Sequence, residues 1–394
     1  MNVIFLCDNI VVGGVETTLI NYLKIILCSR VVSNITLITN RSIDNMVFQD
    51  FINKNPEIEL LVIKFAREKH SINKFNFILR GYKRLVRVYN KHKSKIELQK
   101  ILRRKNSIII DFKNLSYRKY LTDINNPKIV WIHGGFQYIK HNLNNIIIHN
   151  GAACYDKIVC LTKDCVHNVC LTYPQISHKV VNIYNPIDVL HIQQLSKSQS
   201  SCNIPFKYYF CMVARLDIEK DHVTLLKAFN EFNKIYPEIG LVLLGDGKLK
   251  DELITLASNL GISGNVLFAG SVKNPFPIMK NAIANILSTP QEGLPNCLIE
   301  GQVLKVLNIS SDCQSGPPEI LLHGKGGILF RTGDHIDLYN KLCYVVNHYD
   351  FVSRSYSPEI IKLIDNSYEA LQRFSFAAVA DQFNKLINDV CSTK

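Results

Sequence analysis

The sequence predicts an α/β protein made of two doubly wound domains, each with a parallel sheet. Three observations carry this. Short runs rich in β-branched and other apolar residues alternate with longer stretches of helical spacing. The runs are continuously apolar, as in strands covered on both faces, rather than alternating. The rhythm occurs twice in a chain of 394 residues, long enough for each half to bury its own core. In the first half the predicted strands are Val3–Cys7, Ile35–Thr39, Leu60–Lys64, Ser107–Phe112, Ile129–His133, Lys157–Leu161 and Val180–Tyr184. In the second they are Tyr208–Val213, Leu241–Gly245, Val266–Ala269, Asn285–Ser288, Val306–Ser310 and Ile328–Phe330. The Ser- and Gln-rich stretch Gln193–Asn203 reads as the junction. The expected division is residues 1–190, a linker over 191–206, a second domain over 207–374 and a closing segment over 375–394. Ser375–Val390 is amphipathic at helical spacing, and with no strand after it the helix is expected to pack across the domain junction.

Composition narrows the function classes. Hydrophobic residues make up 47% and charged residues 20%, which excludes a disordered chain or a small disulfide scaffold. Lys and Arg outnumber Asp and Glu by 46 to 33, so a polyanionic partner is expected: nucleic acid, an anionic membrane surface or a phosphorylated small molecule. The apolar N-terminal run is too short for a signal segment, and no 18-residue apolar run is present. The twelve cysteines, among them Cys7, Cys160 and Cys211 inside apolar runs, therefore read as reduced, buried small hydrophobes. Cys154, Cys160, Cys165 and Cys170, with His167 between the last two, have spacings that fit no usual zinc pattern, so no metal site is expected.

Much of the positive charge sits in one segment. Arg67–Lys105 carries 14 Lys/Arg against two Glu. Phe75, Ile78, Leu79, Tyr82, Leu85, Val86 and Tyr89 recur at helical spacing. A basic amphipathic helix over about 70–105 can lie on an anionic membrane, or it can face a core with a solvated charged side. It lacks the interleaved stacking aromatics of a nucleic-acid binder, so no nucleic-acid partner is expected.

Five motifs carry chemistry. Gly13-Gly14 follows the first strand and precedes a helix bearing Glu16, where backbone amides can approach a ligand. His133-Gly134 stands at the carboxyl end of a strand, facing a crevice or else simply buried. Arg215 and Lys220 follow the strand Tyr208–Val213; such cations suit a diphosphate leaving group, on which negative charge grows as the bond breaks, or they are surface charges. Gly245-Asp246-Gly247 ends the next strand. Glu292-Gly293-Leu294-Pro295-Asn296 leads into a helix containing Glu300; its amides would form an anion-attracting N-terminus. Carboxylates in a loop and a helix suit hydroxyls of two different sugars better than acid–base work on one bond.

In this order the motifs resemble the retaining glycosyltransferases of family 4, which have the GT-B fold, over essentially the whole chain. The resemblance implies two Rossmann-like domains across a cleft, an acceptor-binding first domain and a nucleotide-sugar-binding second one. It implies that Arg215 and Lys220 clamp the donor diphosphate and that Glu300 holds the ribose. Glu292 would contact the transferred sugar, and Gly245, Asp246, Gly293, Leu294, Pro295 and Asn296 would line the donor site. His133 would sit by the anomeric carbon, and Gly13, Gly14 and Glu16 would form the loop under phosphates and acceptor. It implies no metal and no cofactor, the UDP-sugar being substrate. The stretch Asp312-Cys313-Gln314-Ser315-Gly316-Pro317-Pro318-Glu319-Ile320-Leu321 is similar to a bacterial subgroup that adds galactose or N-acetylhexosamines from UDP donors to lipid-linked surface glycans. Its members act in the cytoplasm at the inner face of the membrane, in O-antigen, lipopolysaccharide or capsule synthesis. A GDP-mannose-dependent mannosyltransferase, a GT-B UDP-sugar epimerase and a non-catalytic sugar-binding protein are the alternatives. The chain departs from the family's usual residues at Gly301, where Ala is usual, and at Lys305–Asn308, where a Gly-x-Pro turn is usual. Gly301 within a helix is expected to cost ~1 kcal/mol relative to Ala.

Overall fold

The computed structural model describes residues 1–8, 10, 13–29, 32–41, 43, 45–63, 89, 92–113, 117–137, 139–140, 154–200 and 202–392. Among these residues the first domain has seven parallel strands: β1 (Asn2–Cys7), β2 (Asn34–Thr39), β3 (Ile58–Val62), β4 (Ser107–Asp111), β5 (Lys128–Ile132), β6 (Lys157–Cys160) and β7 (Val180–Asn182). Their order across the sheet is β3-β2-β1-β4-β5-β6-β7. The second domain has six: β8 (Tyr208–Val213), β9 (Ile239–Leu244), β10 (Val266–Gly270), β11 (Ala284–Leu287), β12 (Asn308–Ser311) and β13 (Ile328–Phe330), in the order β10-β9-β8-β11-β12-β13. This is the GT-B architecture the motifs imply. Every residue of β4, β5, β9, β11 and β12 is buried, as in strands covered on both faces; β9 is free of polar side chains, whereas β12 (Asn308-Ile309-Ser310-Ser311) buries mostly polar ones. Each sheet reverses its strand order once, between β1 and β4 and between β8 and β11. Open α/β sheets bind ligands at that switch point, outside the carboxyl ends of the strands.

The predicted strand Val306–Ser310 begins two residues later, as β12. Val306 and Leu307 precede β12 instead of starting it, because Val306 N–H bonds back to the Gly301 carbonyl and closes the preceding helix, Asn296–Val303. Lys305, in the run where the resemblance leads one to expect a Gly-x-Pro turn, makes this turn with a left-handed φ of 55°, and its ammonium lies 4.3 Å from the Tyr368 ring centre. Gly301 has a matching reason. A Cβ there would stand 2.4 Å from Asn308 Oδ1. The buried Asn308 amide fills that space, donating to the Leu298 carbonyl (3.0 Å) and accepting from Asn285 Nδ2 (2.9 Å). Asn285 donates in turn to the Cys297 carbonyl. The two departures from the family pattern are thus one packing solution.

Two connections tie the domains. Gln193–Asn203 is not wholly extended: its start lies in the helix Val189–Leu195, and Asn274 donates to the Leu195 carbonyl and the Ser198 hydroxyl. The final helix, Phe376–Ser392, returns to the first domain. Ile187 N–H bonds to the Phe374 carbonyl (2.9 Å), and Phe383 packs on Tyr22 and Trp131, each 6.1 Å away between ring centres. Cys7, Cys160, Cys165, Cys211 and Cys313 are buried as expected, but Cys28 and Cys391 are exposed and the other five only partly buried; no described cysteine forms a disulfide. The basic helix expected over about 70–105 lies largely outside the described residues; 92–102 is helical, with Leu98 and Leu102 buried. No helix among the described residues is long and apolar enough to cross a membrane.

Candidate active site between the domains

The second domain's half of the site is built on the ends of β8 and β11. Lys220 lies in a short turn, Ile218–Lys220, after β8. Hydroxyls just beyond β11 fix that turn: Ser288 donates to the Lys220 and Asp221 carbonyls, and Thr289 to the Glu219 carbonyl (2.7 Å). Asp221, at φ 47°, caps the helix His222–Asn233 through Thr224 N–H. Lys220 is thereby aimed inward, with a side chain 16% exposed and ion-paired to Glu292. Arg215 stands further out at 58% exposure, its guanidinium 2.6 Å from Asp217 and 3.6 Å from Glu219. Gly245 passes under this loop with φ 140°; a Cβ there would meet the Ala214 carbonyl at 2.0 Å, so only glycine fits. The exposed Asp246 accepts from Gly247 N–H and its carbonyl accepts from Leu216 N–H, joining the two loops.

Glu292-Gly293 meets the first domain directly. A Cβ on Gly293 would lie 2.0 Å from the His133 carbonyl, and one on Gly135 2.5 Å from the Glu292 carbonyl. The two backbones touch, and bulk at either glycine would push the domains apart. Leu294 and Pro295 are buried behind this contact, and Pro295 immediately precedes the helix Asn296–Val303. Asn296 at that helix's start bridges the domains. Its Nδ2 donates to the Gly14 carbonyl (3.3 Å) and the Thr18 hydroxyl (3.2 Å), and its Oδ1 accepts from Asn185 (3.1 Å). Expected as a donor-site residue, Asn296 here also holds the first domain's glycine loop. The Glu300 side chain, one turn on, has no hydrogen bond or ion pair among the described residues, and burial pushes its carboxyl up to about 7.

The first domain's half lies at the ends of β1, β4 and β5. Gly13 precedes the first helix, Gly14–Leu27, and Glu16 in its first turn is buried with its carboxylate 3.5 Å from Lys113 Nζ. His133 follows β5. Its Nε2 lies 2.9 Å from the Phe112 carbonyl, which can only accept, so this nitrogen carries the proton. Burial pushes the imidazole down to about 4, with nearby Lys113 acting the same way. At neutral pH His133 is therefore an uncharged polar group, and its carbonyl reaches across to Gly293. Sequence reasoning missed Lys113, Ser288 and Thr289. Each follows a strand at a switch point, which is the signal that could have found them.

His133, Glu292, Lys220, Gly293, Asn296 and Gly14 thus line one seam between the domains. Arg215 and Gly245–Asp246 lie at its second-domain mouth, and Glu300 lies one helical turn in. Lys220 presents a nearly enclosed cation and Glu292 a carboxylate, with a neutral imidazole opposite: a set that can bind an anion and hydroxyls while offering no strong base.

Residues 198–354 match the family model described as "Glycosyl transferases group 1". Over 153 residues the chain is 34% identical to an uncharacterized glycosyltransferase of Methanocaldococcus jannaschii, covering 38% of each chain. Over 179 residues it is 31% identical to the GalNAc-alpha-(1->4)-GalNAc-alpha-(1->3)-diNAcBac-PP-undecaprenol alpha-1,4-N-acetyl-D-galactosaminyltransferase of Campylobacter jejuni, covering 45% of this chain and 47% of the relative. The match therefore spans less than half the length of these relatives. In solved structures the whole fold recurs: Anabaena HepE in complex with UDP superposes with a TM-score of 0.75 over 99% of this chain and 100% of the other, at 14% identity.

Proposed function

We propose that the chain is a retaining glycosyltransferase that moves a hexose or N-acetylhexosamine from a UDP-sugar to a glycan acceptor, lipid-linked, in bacterial surface-polysaccharide synthesis. The observation that carries this reading is the convergence of Lys220 and Glu292 with His133 across the Gly293–His133 contact. A family match over the second domain, and a fold shared with a UDP-bound protein, support it. The Campylobacter relative, whose name specifies an undecaprenol-linked glycan, supports the lipid-linked acceptor.

In this reading Lys220, with Arg215 at the mouth, neutralises charge growing on the donor diphosphate, the work a divalent metal does elsewhere. Glu300 accepts from the ribose hydroxyls, and Glu292, released from Lys220, from hydroxyls of the transferred sugar. The bond from the anomeric carbon to the phosphate oxygen breaks and the bond to the acceptor oxygen forms on the same face. The acceptor's proton passes to the departing phosphate oxygen. His133, uncharged, orients the sugar by hydrogen bonding and takes no proton. The basic surplus, concentrated about residues 70–105, would hold the protein peripherally at the inner membrane face.

The test is a panel of UDP-sugars and GDP-mannose scored for protection against thermal unfolding. A UDP-sugar should raise Tm and GDP-mannose should not; protection by GDP-mannose alone would refute the UDP assignment. Release of UDP from UDP-GlcNAc without acceptor would indicate an epimerase instead.

A further inference from the structure

Glu319, from the Ser-Gly-Pro-Pro-Glu-Ile stretch, takes no part in the site described above, yet it is buried at the junction of the two domains. It lies in the turn of helix Pro317–Ile320. One carboxylate oxygen accepts from Lys163 N–H (3.1 Å) and from the Tyr184 hydroxyl (2.6 Å), and the other from Asp164 N–H (3.0 Å). Lys163 and Asp164 open the first-domain helix Lys163–Thr172, whose own cap, Thr162, accepts from Cys165 N–H with its hydroxyl and from Val166 N–H with its carbonyl. A helix start leaves backbone N–H groups without partners inside the helix, and a carboxylate there is favoured by the helix dipole. Here the second domain supplies that carboxylate. Arg373 backs the arrangement, donating to the Glu319 and Ile320 carbonyls while its guanidinium lies over the Tyr184 and Phe374 rings. Burial, and then the Glu319 charge, push the Asp164 carboxyl up, while His323 and His167 pull it down.

The same stretch reaches the site at its other end. Ser315 donates to the Glu292 carbonyl (3.0 Å), and a Cβ on Gly316 would lie 2.4 Å from the Gly293 carbonyl. Three residues therefore separate a contact on the donor-side loop from a carboxylate anchored in the opposite domain.

We infer that Glu319 is a positioning residue: by capping the Lys163–Thr172 helix from the other domain, it sets the closed domain orientation and, through Ser315–Gly316, presses Glu292-Gly293 against His133. It touches neither donor nor acceptor. The UDP-affinity and kinetic arms of its test rest on the transferase reading; the exchange arm does not.

The test is hydrogen exchange, UDP affinity and transfer measured on the full chain for Glu319→Gln, which keeps one acceptor and loses the charge. Exchange at the Lys163 and Asp164 amides should accelerate about tenfold or more, with the β8–β9 amides unchanged. The Kd for UDP should stay within about twofold while kcat falls about tenfold, since UDP needs one domain and transfer needs both. Unchanged exchange at Lys163 and Asp164 would overturn the inference. So would exchange rising equally through β8–β9, or UDP affinity falling in step with kcat. If Glu319→Gln does not fold, Tyr184→Phe removes one donor to the same carboxylate and should move the same readouts in the same directions by less; no movement would refute the role. A chain that transfers no sugar would end the transferase reading, while the exchange result would still judge Glu319.

Discussion

Replacing Gly301 by Ala should destabilise the second domain, although a helical Gly→Ala change ordinarily stabilises. The ordinary gain is ~1 kcal/mol. Against it stands a methyl 2.4 Å from Asn308 Oδ1 and 3.0 Å from its Cγ and Nδ2, so something must move by close to an ångström. Asn308 cannot yield freely, because its amide is buried and bonded to Leu298 on one side and Asn285 on the other. Overpacking of this kind costs ~1–3 kcal/mol, and each loosened buried hydrogen bond adds ~1 kcal/mol. The net is a loss of about 1–3 kcal/mol, a fall in Tm of roughly 3–10 °C for a domain of this size. The assay is thermal and urea unfolding of Gly301→Ala, Asn308→Ala and the double variant. Because the methyl enters the space the amide vacates, the double variant should lose less than the sum of the singles, by about 1 kcal/mol or more. A more stable Gly301→Ala protein, or strict additivity, would refute the reasoning.

Lys220→Ala should lower transfer about 100-fold or more, the scale of removing one preorganised charge-stabilising group; unchanged turnover in a steady-state assay would remove its role at the diphosphate. UDP binding should strengthen as pH rises towards 7. Without ligand, burial holds the Glu300 carboxyl at about 7, above its ordinary 4.5, so the folded protein keeps the proton and gains stability at low pH that is lost as pH rises through 7. Ribose hydroxyls donating to the carboxylate favour the charged form, so binding expels that proton. Calorimetry in buffers of different ionisation enthalpy should show proton release near pH 6–7 and up to about tenfold tighter binding per pH unit below 7; pH-independent binding would put Glu300 away from the nucleotide. Gly293→Ala, by forcing apart the contact with the His133 carbonyl, should abolish most transfer while the folding transition of each domain persists, as scanning calorimetry would show.

Much of this was legible because strands and switch-point loops are local. Thirteen apolar runs mark thirteen parallel strands, with ends displaced by one or two residues. The site motifs sit at strand ends because ligands bind there in such sheets. What could not be read was pairing at long range. Gly301 and Lys305–Asn308 read in the sequence as two separate departures in the second domain; only the Asn308 side chain lying where an alanine methyl would go makes them one. Glu319 was visible within a family-like stretch, but its partners Lys163 and Asp164 lie 156 and 155 residues away, and backbone N–H groups leave no trace in side-chain identity.

The charges at the seam bear on how a donor arrives. Lys220 is matched by Glu292, Arg215 by Asp217 and Glu219, and Lys113 by Glu16. A diphosphate entering such a site does not neutralise bare cations. It takes Lys220 from Glu292, and the freed carboxylate needs new donors at once, since an unpaired charge in a partly enclosed site is costly. In the proposed reading the hydroxyls of the transferred sugar supply those donors, whereas the ribose hydroxyls of a bare nucleotide go to Glu300. If the proposed function holds, the exchange should favour the intact nucleotide sugar over UDP, the direction a transferase needs to release its product. Replacing Glu292 by Gln removes the competing charge, so UDP should bind more tightly and the preference for UDP-sugar over UDP should shrink. Competition titration would measure both, and an unchanged ratio of the two affinities would mean that Glu292 does not take part in the exchange.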